Sequence, residues 1–436
     1  MPDNAPGNLS RRAAIKRGLA GVLAYGVAPT FLRSSLFGQT APSNRITLGL
    51  IGNGLICASH VSSLVGRDDC RIVALCDVWR SKSEKTRNRI AKAYADETSG
   101  TPAKGLDLYA RYEELLARPD IDAVLVCTPD HWHAAISRAA MMAGKDVYSE
   151  KPLTLTIAEG RVLVNTARQY GRVLQTGTQQ RSNKSFRKAA ELVRNGMIGK
   201  LKVIRTRLGA DFPAARPLPE QPIPADLDYD RWLGPTPWRP FNELRVKGDY
   251  GGGWRCFPEY GQRKLGDWGA HHFDIIQWAL GMDESGPVEF VPEGWDGAKY
   301  QHHRYANGIT VERAEDGSVK SMIEFIGTDG KVGVSRDDLF VTEPVELATT
   351  PLRGDQVHLY ASDNHEGDFL HCIRTRQRPI ADVEIGHRSA TVCHLSRIAQ
   401  VLQRPIRWDP TKEEIVGDAV AARMVDRPRR APYSLL

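Results

Sequence analysis

The chain has 436 residues, 41% of them hydrophobic and 25% charged, with a formal net charge of +7. That is ordinary globular material, long enough to bury its core without staples, and it excludes a fibrous or disordered protein. Much of the positive excess sits in Arg11, Arg12, Lys16, Arg17 and Arg33 against Asp3 alone, so it reads as targeting, and no nucleic-acid surface is expected.

The leader comes first. Ser10-Arg11-Arg12-Ala13-Ala14-Ile15-Lys16 precedes a mild apolar run from Gly18 to Phe31. Paired arginines before a short apolar stretch form a twin-arginine export signal. The run is too short and glycine-rich for a comfortable membrane span. Residues 1–40 are therefore expected to be a leader and the protein periplasmic, with an uncut leader as the one membrane attachment to consider. The seven cysteines are odd in number and lack C-x-x-C spacing, so no disulfide framework is expected.

After a polar linker, Arg45–Ile51, Ile72–Asp77 and Ala123–Thr128 are continuous apolar runs, as expected of strands buried on both faces. Shorter strands are expected at Asp146–Tyr148 and Val173–Gln175. Helical patterns lie between them at Leu55–Val65, Ser81–Thr98, Tyr112–Arg118, Trp132–Ala143 and Ile157–Tyr170. This alternation predicts an α/β fold, with a Rossmann domain over residues 45–175. Leu201–Leu208 then alternates apolar with basic residues, and more strands are expected at Val288–Val291, Ile309–Arg313, Val319–Phe325 and Lys331–Val334. Residues 176–436 are read as an α+β domain with a large, open-faced, mostly antiparallel sheet for substrate binding and oligomerisation. Phe212–Pro240 has too many prolines for regular structure. Helices are expected at His365–Arg374 and Gly386–Leu402, followed by a surface tail.

The first strand runs into Gly52-Asn53-Gly54-Leu55-Ile56-Cys57. Glycines let the backbone turn sharply and approach a pyrophosphate, whose charge the next helix's N–H groups face. Cys57 takes the position usually held by Gly or Ala. Asp77, ending the second strand, is placed to accept from a ribose 2′-hydroxyl and favours NAD; Arg80 and Lys82 keep NADP open.

Thr128-Pro129-Asp130-His131-Trp132-His133, then Ser149-Glu150-Lys151-Pro152, then Asp267-Trp268-Gly269-Ala270-His271-His272-Phe273-Asp274, closely resemble the Gfo/Idh/MocA oxidoreductases over the chain from Arg45 onward. The resemblance implies an active site in a cleft between the two domains and a cis Lys151–Pro152 peptide. It also implies cofactor contacts from Thr128, Pro129, His133, Glu150 and Lys151, and a homo-oligomer. Read from spacing, Asp267 and His271 are four apart on one helical face, a carboxylate beside an imidazole. His271 is expected to take the hydroxyl proton (a role the family motif implies), Asp267 to orient it, and Lys151 to position the substrate oxygen. Which of Lys151 and His271 is the acid–base stays open. Arg181, Asp267, His271 and His272 are the expected substrate contacts. No metal site is expected, because an i, i+4 pair without a third ligand is not one.

These features together predict an NAD(P)-dependent oxidoreductase acting on a secondary alcohol of a sugar, polyol or glycoside, with tightly held cofactor and ping-pong turnover. A redox-neutral NAD-dependent glycoside hydrolase is the alternative, disfavoured by Lys151. A non-catalytic NAD or sugar sensor is the third reading, disfavoured by the intact Lys151, Asp267 and His271 set.

Overall fold

The computed structural model describes residues 44–97, 106–337 and 339–435. The expected twin-arginine leader falls outside the described residues, as does Thr98, the expected end of one helix. The unit described below is Ile46–Leu436.

Six strands form the first sheet: β1 (Ile46–Ile51), β2 (Cys70–Cys76), β3 (Asp107–Tyr109), β4 (Ala123–Val126), β5 (Asp146–Ser149) and β6 (Leu174–Thr176). All pair in parallel, in the order β3-β2-β1-β4-β5-β6. The two central strands are apolar except for Thr47 because both sheet faces are covered; β4 is buried at every position. Helices Leu55–Leu64, Asp130–Met142 and Ile157–Gln169 supply that cover. The last begins with a capping box, in which the Thr156 hydroxyl accepts from Glu159 N–H and the Glu159 carboxylate reaches back to Thr156 N–H. The strand order reverses beside β1, and ligands bind such sheets at that crevice, beyond the carboxyl ends of the strands.

The second sheet has nine strands: β7 (Leu201–Thr206), β8 (Glu289–Val291), β9 (His302–Arg304), β10 (Thr310–Arg313), β11 (Ile323–Gly327), β12 (Lys331–Val334), β13 (Phe340–Glu343), β14 (Ile406–Asp409) and β15 (Glu414–Ile415). Their order is β13-β12-β11-β7-β10-β9-β8-β14-β15. Among the described residues only β7 and β10 pair in parallel; the other pairs of this sheet are antiparallel. Ile204, Val311, Phe325 and Val332 point inward onto the helices Lys184–Arg194 and Ala270–Leu280 in one continuous core. β11 starts at Ile323 instead of Val319, because Gly317 turns at φ +79° and Ser318 N–H bonds back to Asp316.

Two features depart from expectation. The helix expected from Trp268 is entered through a π-helical turn, Leu265–Gly269, before regular helix begins at Ala270. The Pro- and Arg-rich tail does not run free over the surface. Leu435 is buried, Tyr433 packs edge-on against Trp132, and Arg429 pairs with the buried Glu159 at 3.1 Å.

Candidate active site

Gly52 turns at φ +86°, and a Cβ there would lie 2.7 Å from the Cys127 and Thr128 backbone. Only glycine fits this meeting of β1 and β4. Gly54, by contrast, has open space where its Cβ would be, at the start of helix Leu55–Leu64 with no side-chain cap. This is the approach a pyrophosphate needs, with unpaired helix N–H groups beyond it. Asp77 accepts from Asn53 N–H (2.6 Å) and Trp79 N–H (2.8 Å), which fixes its carboxylate at the loop. The Thr128 hydroxyl, in the cavity wall, has no partner among the described residues. These features fit a dinucleotide.

A cavity of about 150 Å³ runs from Gly52 and Gly54 past Asp77 to Lys151 and Asp267. Of the expected cofactor residues, Gly52, Gly54, Leu55, Ile56, Asp77, Thr128, Pro129, Glu150 and Lys151 line it. Asn53 and His133 do not. Asn53 is buried behind the loop with its amide 3.4 Å from Cys76 O. His133 is buried between the carbonyls of Thr128 and Pro152, at 2.8 and 2.7 Å, and ties the two strand ends together.

The Lys151–Pro152 peptide is cis. Lys151 Nζ donates to Asp267 Oδ1 and to the Asp267 carbonyl, both at 2.9 Å. Arg255 Nε donates to the same carboxylate at 3.3 Å. Burial raises the Asp267 pKa, but the two cations outweigh it and hold the group at about 2. Asp267 therefore orients Lys151, not His271. The expected i, i+4 pairing fails because the π turn changes the angular step per residue, and the carboxylate is already taken. His271 is buried, and its Nδ1 has no partner among the described residues. Burial, then Arg336 and Lys151, push its pKa well below the ordinary value, so it is neutral.

Two expected substrate contacts are structural. Arg181 is fully buried, donating to Asp274 Oδ2 and Asp283 Oδ1, both at 2.7 Å, above the Trp278 ring. The Asp274 of the second motif is thus an internal counter-ion, held also by Ser389. His272 turns to the Thr206 hydroxyl of β7, at 3.1 Å, away from the cavity lining.

Several functional residues carried no local sequence signal. His60 stands between Glu150 and Glu366, 2.9 Å from each. Burial lowers its pKa, yet the two carboxylates prevail and raise it to about 10, giving a buried imidazolium that fastens Glu150. Asp130 lines the cavity; burial raises its pKa to about 8 despite Arg255 and Lys151. Residues 226–260 cross from the second domain over the end of β2. Asp228 N–H donates to Val78 O, Arg80 N–H to Asp226 O, and Trp79 Nε1–H to Asp226 Oδ1. This strap has its own aromatic core and places Arg231, Trp232, Trp254 and Arg255 in the cavity wall.

A parallel dinucleotide sheet, with a cavity at its strand ends walled from the second domain by the strap and Asp267, defines a two-domain NAD-binding protein. The chain belongs to the Gfo/Idh/MocA oxidoreductase family: residues 46–178 match its NAD-binding Rossmann fold and residues 182–435 its C-terminal alpha/beta domain. Myo-inositol 2-dehydrogenase of Thermotoga maritima is 31% identical over 189 residues, covering 43% of this chain and 49% of that protein. The chain thus spans about half the length of the curated relatives it matches first. Aldose-aldose oxidoreductase from Caulobacter crescentus, complexed with glycerol, superposes with a TM-score of 0.56 at 18% identity, over 83% of this chain and 99% of that one. Scyllo-inositol dehydrogenase from Lactobacillus casei, with bound NAD(H) and scyllo-inositol, gives 0.53 at 17%, over 83% and 99%. At these identities the structures speak for the fold.

Proposed function

We propose that the protein is a dehydrogenase that moves a hydride between a secondary alcohol of a sugar, polyol or glycoside and NAD held on the enzyme. The observation that carries this is Lys151, fixed by Asp267 Oδ1 and the Asp267 carbonyl in the same cavity as the glycine loop. Two of its three ammonium protons are committed to Asp267, leaving one to donate to a substrate oxygen. Bound NAD supplies the hydride acceptor. Lys151 then stabilises the negative charge that grows on the oxygen, with Asp267 and Arg255 keeping it in place. His271, outside the lining of that cavity but with an Nδ1 that has no partner among the described residues, is the proposed acceptor of the hydroxyl proton. Asp77, free of any basic side-chain bond and held by two N–H groups, favours NAD over NADP.

Export by the twin-arginine route, retention of the cofactor and assembly into a homo-oligomer are further parts of the proposal. The strap over β2 supports retention, since it closes the dinucleotide cavity from the second domain. Purified protein should release NAD only on denaturation, and sugars added to it should reduce the bound cofactor without displacing it. Release of an aglycone from a nitrophenyl glycoside with no net reduction would move the assignment to a redox-neutral hydrolase.

A further inference from the structure

Beside the Lys151–Asp267 pair, outside the lining of the dinucleotide cavity, lies a wall built on Trp268. The Arg336 guanidinium stacks 4.8 Å from the Trp268 ring centroid, and Lys264 Nζ lies 5.9 Å from the same centroid and 4.4 Å from that of Phe212. Arg336 follows β12 and is exposed at the surface of the site. It is also held. The buried Gln180 amide, in the orientation that satisfies both its ends, donates to the His271 carbonyl and accepts from Arg336 Nε, each at 3.1 Å. Stacking and the Nε bond fix the plane of the guanidinium and leave its two terminal nitrogens without a protein partner among the described residues.

The surrounding carboxylates are spoken for. Asp267 binds Lys151 and Arg255, Asp211 accepts from Lys264 N–H beside Arg263, and Glu150 binds His60 and Gln179. Among the described residues, no carboxylate comes within ion-pair distance of Arg336 or Lys264. The site thus has a surplus of positive charge at a planar fork beside an aromatic face. A fork held by its Nε, with both terminal nitrogens open, matches a carboxylate bidentately.

We infer that Arg336 receives the acidic group of an anionic sugar, a sugar acid or a sugar phosphate, with Lys264 assisting and Trp268 against the ring. The inference deepens the dehydrogenase reading by naming its substrate class. It is tested by binding alone, so failure of hydride transfer and failure of this site are seen separately.

The cofactor-loaded protein is titrated calorimetrically with D-gluconate, D-glucuronate, D-galacturonate and D-glucose 6-phosphate, and with D-glucose and D-galactose. At least one acid should bind tenfold or more tightly than its neutral parent. Arg336→Met should erase that preference, and Arg336→Lys should restore only part of it, because an ammonium lacks the fork. Preference for gluconate or a uronate assigns a carboxylate, and preference for glucose 6-phosphate assigns a phosphate. Either supports the inference if Arg336→Met abolishes it. It is overturned if acids show no preference, including no binding at all, or if Arg336→Met keeps the preference. It is also overturned if inorganic phosphate alone binds as tightly as any sugar acid.

Discussion

Replacing Arg181 with Met separates a structural arginine from a substrate contact. Arg181 and Asp274 are both essentially inaccessible, and the arginine also carries Asp283. Removing one partner of such a buried pair costs about 3–5 kcal/mol, because the other charge is left uncompensated. With an unfolding entropy of ~2.1 cal/mol/K per residue over roughly 390 residues, that loss lowers Tm by about 4–6 °C. Burial already raises the Asp274 pKa and Arg181 opposes it, so without the arginine Asp274 rises further. A raised acid contributes stability below its unfolded pKa and loses it as pH climbs through the folded value, so the Arg181→Met deficit should grow toward alkaline pH. Adding Asp274→Asn should recover part of it. The assay is thermal unfolding across pH, with KM for any active sugar measured in parallel. An unchanged Tm with KM raised tenfold would refute the structural assignment and return Arg181 to the substrate contacts.

Further outcomes follow from the same geometry. Lys151→Met should lower kcat by ~10²–10³-fold while the NAD content of the purified protein stays the same, which chromatography of denatured samples checks. His60→Gln should destabilise the protein at neutral pH. The His60 contribution is full below its ordinary pKa of 6.5 and is lost as pH rises through about 10, so variant and parent should converge in a denaturant titration above that pH. Asp130→Asn should gain stability relative to the parent as pH rises through about 8, where the parent's buried acid must ionise. Asp226→Ala removes the bonds to Trp79 and Ser81 and should speed NAD release about tenfold, read by dilution and nucleotide fluorescence.

The cofactor half of the site was legible because its chemistry is local. A buried strand, two glycines with distinct backbone duties and an acid at the next strand end are written within 32 residues, Ile46 to Asp77. Glu150 and Lys151 were legible through the family motif. His60 and Glu366 were not, because they are 306 positions apart and meet only in three dimensions. Arg255 and the strap lie in Pro- and Gly-rich chain without periodicity, whose order comes from bonds to Val78, Trp79 and Arg80. The pairing of Asp267 with His271 assumed regular helix, and a single π turn removed it. Arg181 at a strand end looked like a ligand contact; its burial against Asp274 depends on a helix 93 residues away.

Hydride is proposed to pass from a sugar carbon to retained cofactor, with Lys151 holding the oxygen. The most direct measurement supplies an active sugar deuterated at the oxidised carbon to the NAD-loaded protein in a single turnover, then identifies the released cofactor by mass spectrometry. One deuterium should appear on the reduced nicotinamide, and with Lys151→Met it should appear ~10²–10³-fold more slowly. Unlabelled cofactor alongside cleaved or oxidised sugar would contradict it.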